Sequence, residues 1–285
     1  MYTRGRTAGI VLGTFVCYIL GFLLLRRYFF AVLWRMCKIL HIPYIGGYFS
    51  SALFELALLI FVLIMMKVTG QIRILKAPRG TFFRGLFTGG FMIAMAVFAI
   101  ISAIITRMDS LAFRGKGTIL FSTALFIFTG MAEEFMFRGI TADVVLRRGF
   151  GAVRREDTAE ITPGRVWRAV FISGILFGLM HALNFLSARS AGVIVQMISA
   201  VLPGMVLAAI YFRSGNIWVV AVIHAFNDFA AGFPTLVLRG DGGISGIIGS
   251  YGLSHLLSLI PYLVVLLVLL RRSKMKEIAE KFAPQ

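Results

Sequence analysis

Apolar residues run through this chain in long blocks, and several blocks reach the roughly 20 residues that a helix needs to cross a bilayer. Short polar stretches separate them, and the pattern predicts eight membrane helices: 8–25, 51–66, 85–106, 117–146, 166–186, 191–212, 216–233 and 251–270. Between the first two, residues 26–50 mix Trp34, Tyr44 and Tyr48 with Arg35, Lys38 and His41, which suits an interfacial connection or a short amphipathic helix. The second predicted helix is short and carries Glu55. The fourth is longer than the bilayer is thick, so its C-terminal end should emerge from the membrane. Pro203 predicts a kink in the sixth. Residues 67–84 form a basic loop, 147–165 a polar segment with Pro163-Gly164 before the next helix, and 239–249 a Gly-rich loop. A basic tail closes the chain. No internal repeat and no second domain is apparent, so residues 1–285 read as one integral membrane domain. The fold class predicted is all-α and polytopic, with about eight helices.

Composition agrees with the pattern. The chain is 59% hydrophobic and 14% charged, where a soluble domain would carry roughly a quarter charged residues. The formal net charge of +17 would suit nucleic acid, but no aromatic-basic RNA motif accompanies it. In a membrane chain such charge belongs to loops rich in Lys and Arg. With the N-terminus inside, 19 of the 29 Lys and Arg fall in inside segments, nine outside, and Arg138 within the membrane. That bias places both termini in the cytoplasm, against four positive charges in the first outside segment. Arg4 and Arg6 precede an apolar run resembling a signal peptide. The run continues to Leu25 without a small-residue cleavage site, so it reads as a retained helix. Cys17 and Cys37 have no metal-ligand spacing and read as inert.

The polar residues inside the spans change the picture most. Glu133, Glu134 and Arg138 sit in an apolar run, and residues 118–130 before them carry no charge. Ionisable groups at such depth are expensive and face a protein interior or a water-filled cavity. Glu134 and Arg138 are four apart with the acid first, the favoured order for a helical pair. Glu133 projects about 100° away, so it is left free to serve as a general base for water. His181 and Asn184 lie three apart, and the small residues Ser173 and Gly178 before them would allow close helix packing. His224, Asn227 and Asp228 can approach one face, where Asp228 could orient the His224 ring. Each cluster alone has a plain structural explanation, as a buried ion pair or a hydrogen-bonded core histidine. Three clusters on three helices fit acid–base chemistry on water, or a metal site.

In order along the chain, Glu133-Glu134-x-x-x-Arg138, Phe177-x-x-x-His181 and His224-x-x-x-Asp228 resemble the E-E-x-x-x-R, F-x-x-x-H and H-x-x-x-N/D motifs of the CAAX protease and bacteriocin-processing family, which includes the type II CAAX prenyl endopeptidases. The likeness covers a core of about 117–233. It implies an intramembrane endopeptidase with eight helices around a cavity in the bilayer, in which Glu133 and His181 activate a water. His224 and Asp228 would stabilise the oxyanion or orient the site, with Glu134 and Arg138 in support. The prenyl endopeptidases have Asn where this chain has Asp228, and an ionised Asp cannot donate a hydrogen bond. Either Asp228 only orients His224, or Asn227 supplies the donor. Asn184 is a further orienting candidate.

The resemblance implies no cofactor. Zinc held by Glu133, His181 and His224 is the alternative, without an H-E-x-x-H signature to favour it. A scaffold or regulator that keeps the fold without catalysis, and a transporter or proton pathway, are the competing functions. The expected partners are a peptide or protein substrate, entering from the membrane or the cytoplasmic side, and the lipid bilayer, without nucleic acid. The expected location is a bacterial cell membrane.

Overall fold

The computed structural model describes residues 6–44, 46–78, 80–149, 161–239 and 243–283. Among them helices are the only regular elements, and the only extended pairing is an isolated bridge between Phe113 and Leu238. Among the described residues six helices are long and apolar enough to cross a membrane, or eight if each of two bent pairs counts as one span. The chain is an all-α polytopic integral membrane protein.

The first helix differs from expectation. α1 runs over Arg6–Ile39, through most of the stretch predicted as an interfacial connection. No Gly or Pro lies between Gly21 and Pro43, so nothing in the backbone stops the helix. Of the N-terminal charges, Arg4 lies outside the described residues. α2 is Tyr48–Val68. The predicted third helix begins earlier and is broken: α3 Thr81–Thr88 and α4 Gly90–Ile105 meet at Gly89 with a bend of 67°.

The fourth span is the long one. α5 Lys116–Glu134 continues into a π-helical stretch, Phe135–Ala142, and then into α6 Asp143–Arg148. Of the polar segment 147–165, residues 150–160 lie outside the described residues. α7 Pro163–Met180 starts where Pro occupies its first turn and the Thr162 hydroxyl accepts from Arg165 N–H, both favourable at a helix start. A 3₁₀ turn, His181–Leu186, follows. α8 Gly192–Ser214 carries Pro203 without interruption. α9 Ile217–Gly232 is capped by the Asn216 side chain, which accepts from Trp218 N–H, and ends in a π-helical stretch, Phe233–Val237.

Within the predicted Gly-rich loop, α10 forms at Gly243–Gly249, while 240–242 lie outside the described residues. The predicted eighth helix is divided into α11 Ser254–Leu257 and α12 Leu259–Leu269. The basic tail is no loose end. α13 Arg272–Phe282 turns by 66° and buries Met275, Ile278 and Phe282. Its end is held where Arg147 Nη1 donates to Phe282 O (3.2 Å). The same arginine donates to both carboxylate oxygens of buried Asp143, each at 3.0 Å.

α5 packs against α2 and α9, and α7 against α8. Glycines set the closest approaches. A Cβ on Gly174 would lie 2.9 Å from Val201 O, and one on Gly178 2.7 Å from Met197 O, so α7 rests on the backbone of α8. Ser173, from the same small-residue face, turns to Phe137 O instead (2.9 Å) and supplies a donor to the π stretch. At the crossing that matters most, a Cβ on Gly130 would meet Ala225 N at 2.8 Å. Gly130→Val should therefore force α5 and α9 apart and destabilise the protein by about 1–3 kcal/mol, as overpacking does. A lowered unfolding midpoint in detergent checks this.

Candidate active site

The Gly130 crossing determines which side chains of α5 and α9 meet. His224, two turns of α9 deep, reaches both glutamates of α5. Its Nδ1 lies 2.7 Å from Glu134 Oε1, and its Nε2 lies 3.5 Å from Glu133 Oε2 and 3.5 Å from Asp228 Oδ2. The shortest contact of the ring is thus to Glu134. Asp228 stands on the other side of the imidazole, next to Glu133.

The pair expected from helical spacing is present. Arg138 Nη1 lies 2.9 Å from Glu134 Oε1, with both side chains fully buried. The alignment is poor for a hydrogen bond, so the contact is chiefly electrostatic. Arg138 also donates through Nη2 to Gly204 O at 2.7 Å, and its guanidinium lies 4.6 Å from the centre of the Phe177 ring. One arginine therefore joins α5, α7 and α8. Glu134 is doubly committed, to Arg138 and to His224. The side chain of Glu133 keeps 13% of its surface exposed, and that of Asp228 32%.

His181 sits where α7 tightens into the 3₁₀ turn. Its backbone N–H bonds Gly178 O, so Phe177 O is available to accept from His181 Nδ1 (2.9 Å). A carbonyl only accepts, so Nδ1 carries the proton. That leaves Nε2 as a basic nitrogen. In a 3₁₀ turn residues three apart are eclipsed, which puts Asn184 over His181. Asn184 donates to Gln196 Oε1 of α8 at 2.8 Å.

A cavity of about 690 Å³ collects these groups. Glu133, His181, Asn184, His224 and Asp228 line it, and so do Glu55 of α2, Tyr18 of α1 and Gln196. Asn227 does not. Its amide donates to Ile223 O of its own helix (2.8 Å), so the structure gives no support to Asn227 as a donor in the site. Among the described residues no group of three or more His, Cys, Asp or Glu side chains is arranged to hold a metal ion.

Some site residues were not singled out by spacing. Phe177 packs edge-on to both imidazoles, at 4.9 Å from His181 and 5.5 Å from His224, and also receives Arg138. Its place in the F-x-x-x-H motif was the available signal. Glu55 was visible as an isolated acid in an apolar span. Tyr18 and Gln196 left no signal, because a lone Tyr or Gln in a membrane helix matches no spacing rule.

The described helices thus turn carboxylates and imidazoles into one cavity. Residues 115–230 match the family model of the type II CAAX prenyl endopeptidase Rce1-like proteins. The family resemblance carried by the three motifs is thus shown over this segment, and it supports a CAAX-type intramembrane protease. No curated protein and no solved structure matches the chain.

Removing one member of a buried ion pair leaves the other uncompensated, at a cost of about 3–5 kcal/mol. Arg138→Met should lose about that much, leaving the acid Glu134 buried without its cation. Thermal unfolding of the purified variant measures it.

Proposed function

We propose that the protein is a glutamate-dependent endopeptidase that hydrolyses a peptide bond within the membrane, with water activated by Glu133 and His181. The observation that carries this reading is that Glu133, His181 and His224, from three separate helices, line one cavity, while Glu134 is held by other partners. Glu133 takes a proton from water as the water oxygen bonds to the scissile carbonyl carbon. His181 Nε2 accepts the second hydrogen of that water as a hydrogen bond and positions it. His224 Nε2, when protonated, donates to the oxyanion. As the tetrahedral intermediate collapses, the C–N bond breaks and Glu133 returns its proton to the leaving amine. Water is thus divided between the new carboxyl group and the new amine. Glu134 and Arg138 hold the His224 ring and the helix that carries Glu133. No step passes through a metal.

The substrate is a peptide or protein segment entering from the membrane or the cytoplasmic side. The single membrane domain, both termini in the cytoplasm and a bacterial cell membrane as location complete the proposal.

A library of internally quenched apolar decapeptides, with and without a prenylated cysteine, tests it on protein in lipid nanodiscs. Wild type should cleave members of the library. Glu133→Gln should lose about 10²–10⁴-fold in kcat, the usual contribution of a general base, with an unchanged unfolding midpoint. Full activity in that variant would sink the assignment. Exhaustive chelation with EDTA and phenanthroline should leave the wild-type rate unchanged, as measured by the same fluorescence.

A further inference from the structure

In the reading above, His224 is the single donor assigned to the oxyanion. Asp228 occupies the place of an asparagine in the prenyl endopeptidases, Asn227 is turned away from the cavity, and Thr129, one helical turn before Glu133, gives its hydroxyl to Leu125 O (2.9 Å). Tyr18 of α1 stands across the cavity. It is 1% exposed, lines the cavity, and has Glu133 and Glu55 as its electrostatic neighbours. Its ring is fixed edge-on to Phe137, with centroids 6.1 Å apart. Phe137 in turn belongs to the π stretch that follows Glu133 and Glu134. No hydrogen bond joins its hydroxyl to another described residue, and the hydroxyl is not one of the sealed-off atoms left without a partner, so it opens on the cavity.

A tyrosine in such a place normally finds a partner for its O–H, and one whose hydroxyl opens on a cavity finds it in what enters the cavity. We infer that the missing partner is the substrate, and that Tyr18 is a catalytic residue that donates a hydrogen bond to the carbonyl oxygen as it becomes an oxyanion. The assignment rests on the peptidase reading above. The phenol keeps its proton throughout, so it adds no step to the proton transfers of Glu133. It supplies the neutral donor that an ionised Asp228 cannot. α1 lies outside the segment 115–230 that matches the family. Tyr18 is thus a contribution of this chain's first helix to a site whose other parts lie within that segment.

The experiment uses the full chain in nanodiscs and the fastest-cleaved library peptide. A phosphinate analogue of that peptide, in which a tetrahedral P–O⁻ replaces the scissile carbonyl, serves as the second probe. Tyr18→Phe keeps the ring on Phe137. It should lower kcat about 10²–10³-fold, the usual cost of removing one oxyanion donor, with KM within twofold. It should also lose at least tenfold in affinity for the phosphinate but not for the peptide. Fluorinated tyrosines at position 18, which preserve packing and change only the acidity of the phenol, should change kcat in step with that acidity. A Tyr18→Phe enzyme within twofold of wild type in kcat, or a rate flat across the fluorotyrosines, would overturn the assignment while leaving the peptidase reading intact. Absence of cleavage by wild type, or full activity in Glu133→Gln, would instead count against the peptidase reading, and the first of these would take the Tyr18 assignment with it.

Discussion

Everything near the cavity depends on one buried cation. Arg138 has no exposed surface, and a guanidinium in that position is stable only if its surroundings supply compensation. Glu134 supplies the charge, Gly204 O a strong acceptor and the Phe177 ring a π face. Each of these comes from a different helix, so compensating the charge of the arginine also sets the relative positions of α5, α7 and α8. His224 then completes the arrangement from α9 through its bond to Glu134. The site is organised from its buried side toward the cavity, and Glu133 is the carboxylate left over on the open side.

The backbone irregularities fall beside the residues that line the cavity. The π stretch begins directly after Glu134, and the 3₁₀ turn begins at His181. Both change the rotation per residue, and both redirect polar groups that a regular α-helix would keep for itself. The 3₁₀ turn releases the Phe177 carbonyl to orient the His181 ring. Ser173 donates to Phe137 O within the π stretch, so the wider turn does not leave that carbonyl bare. Such departures are common at functional sites, where local geometry is traded for side-chain direction.

A close approach of two helices determines which acids meet His224. α5 and α9 cross where Gly130 has no Cβ to keep Ala225 away. At that separation a histidine on α9 reaches past the first glutamate to the second. His224 therefore lies between Glu134 at one nitrogen and the pair Glu133 and Asp228 at the other. The C-terminal helix α13, docked through Arg147 and Phe282, stands apart from the cavity lining. Its burial shows that the basic tail contributes to packing as well as to charge.

Much of this could be read from the chain alone. Apolar block lengths determined a polytopic helical membrane protein, since no soluble core would tolerate so few charges. Four-residue spacing determined the Glu134–Arg138 pair, because an α-helix brings those positions to one face. Three ordered motifs pointed to the family that residues 115–230 match. Other features needed the tertiary structure. The run of α1 to Ile39 followed from an absence of helix breakers, which mixed polarity concealed. The pairing of His224 with Glu134 depended on an interhelical crossing that no local pattern encodes. Tyr18 and Gln196 enter the cavity from helices without motifs, and Asn227, adjacent to a site residue in sequence, is turned toward its own backbone. Spacing rules describe one helix at a time. Which faces meet, and what they leave unpartnered, was decided only by packing the helices together.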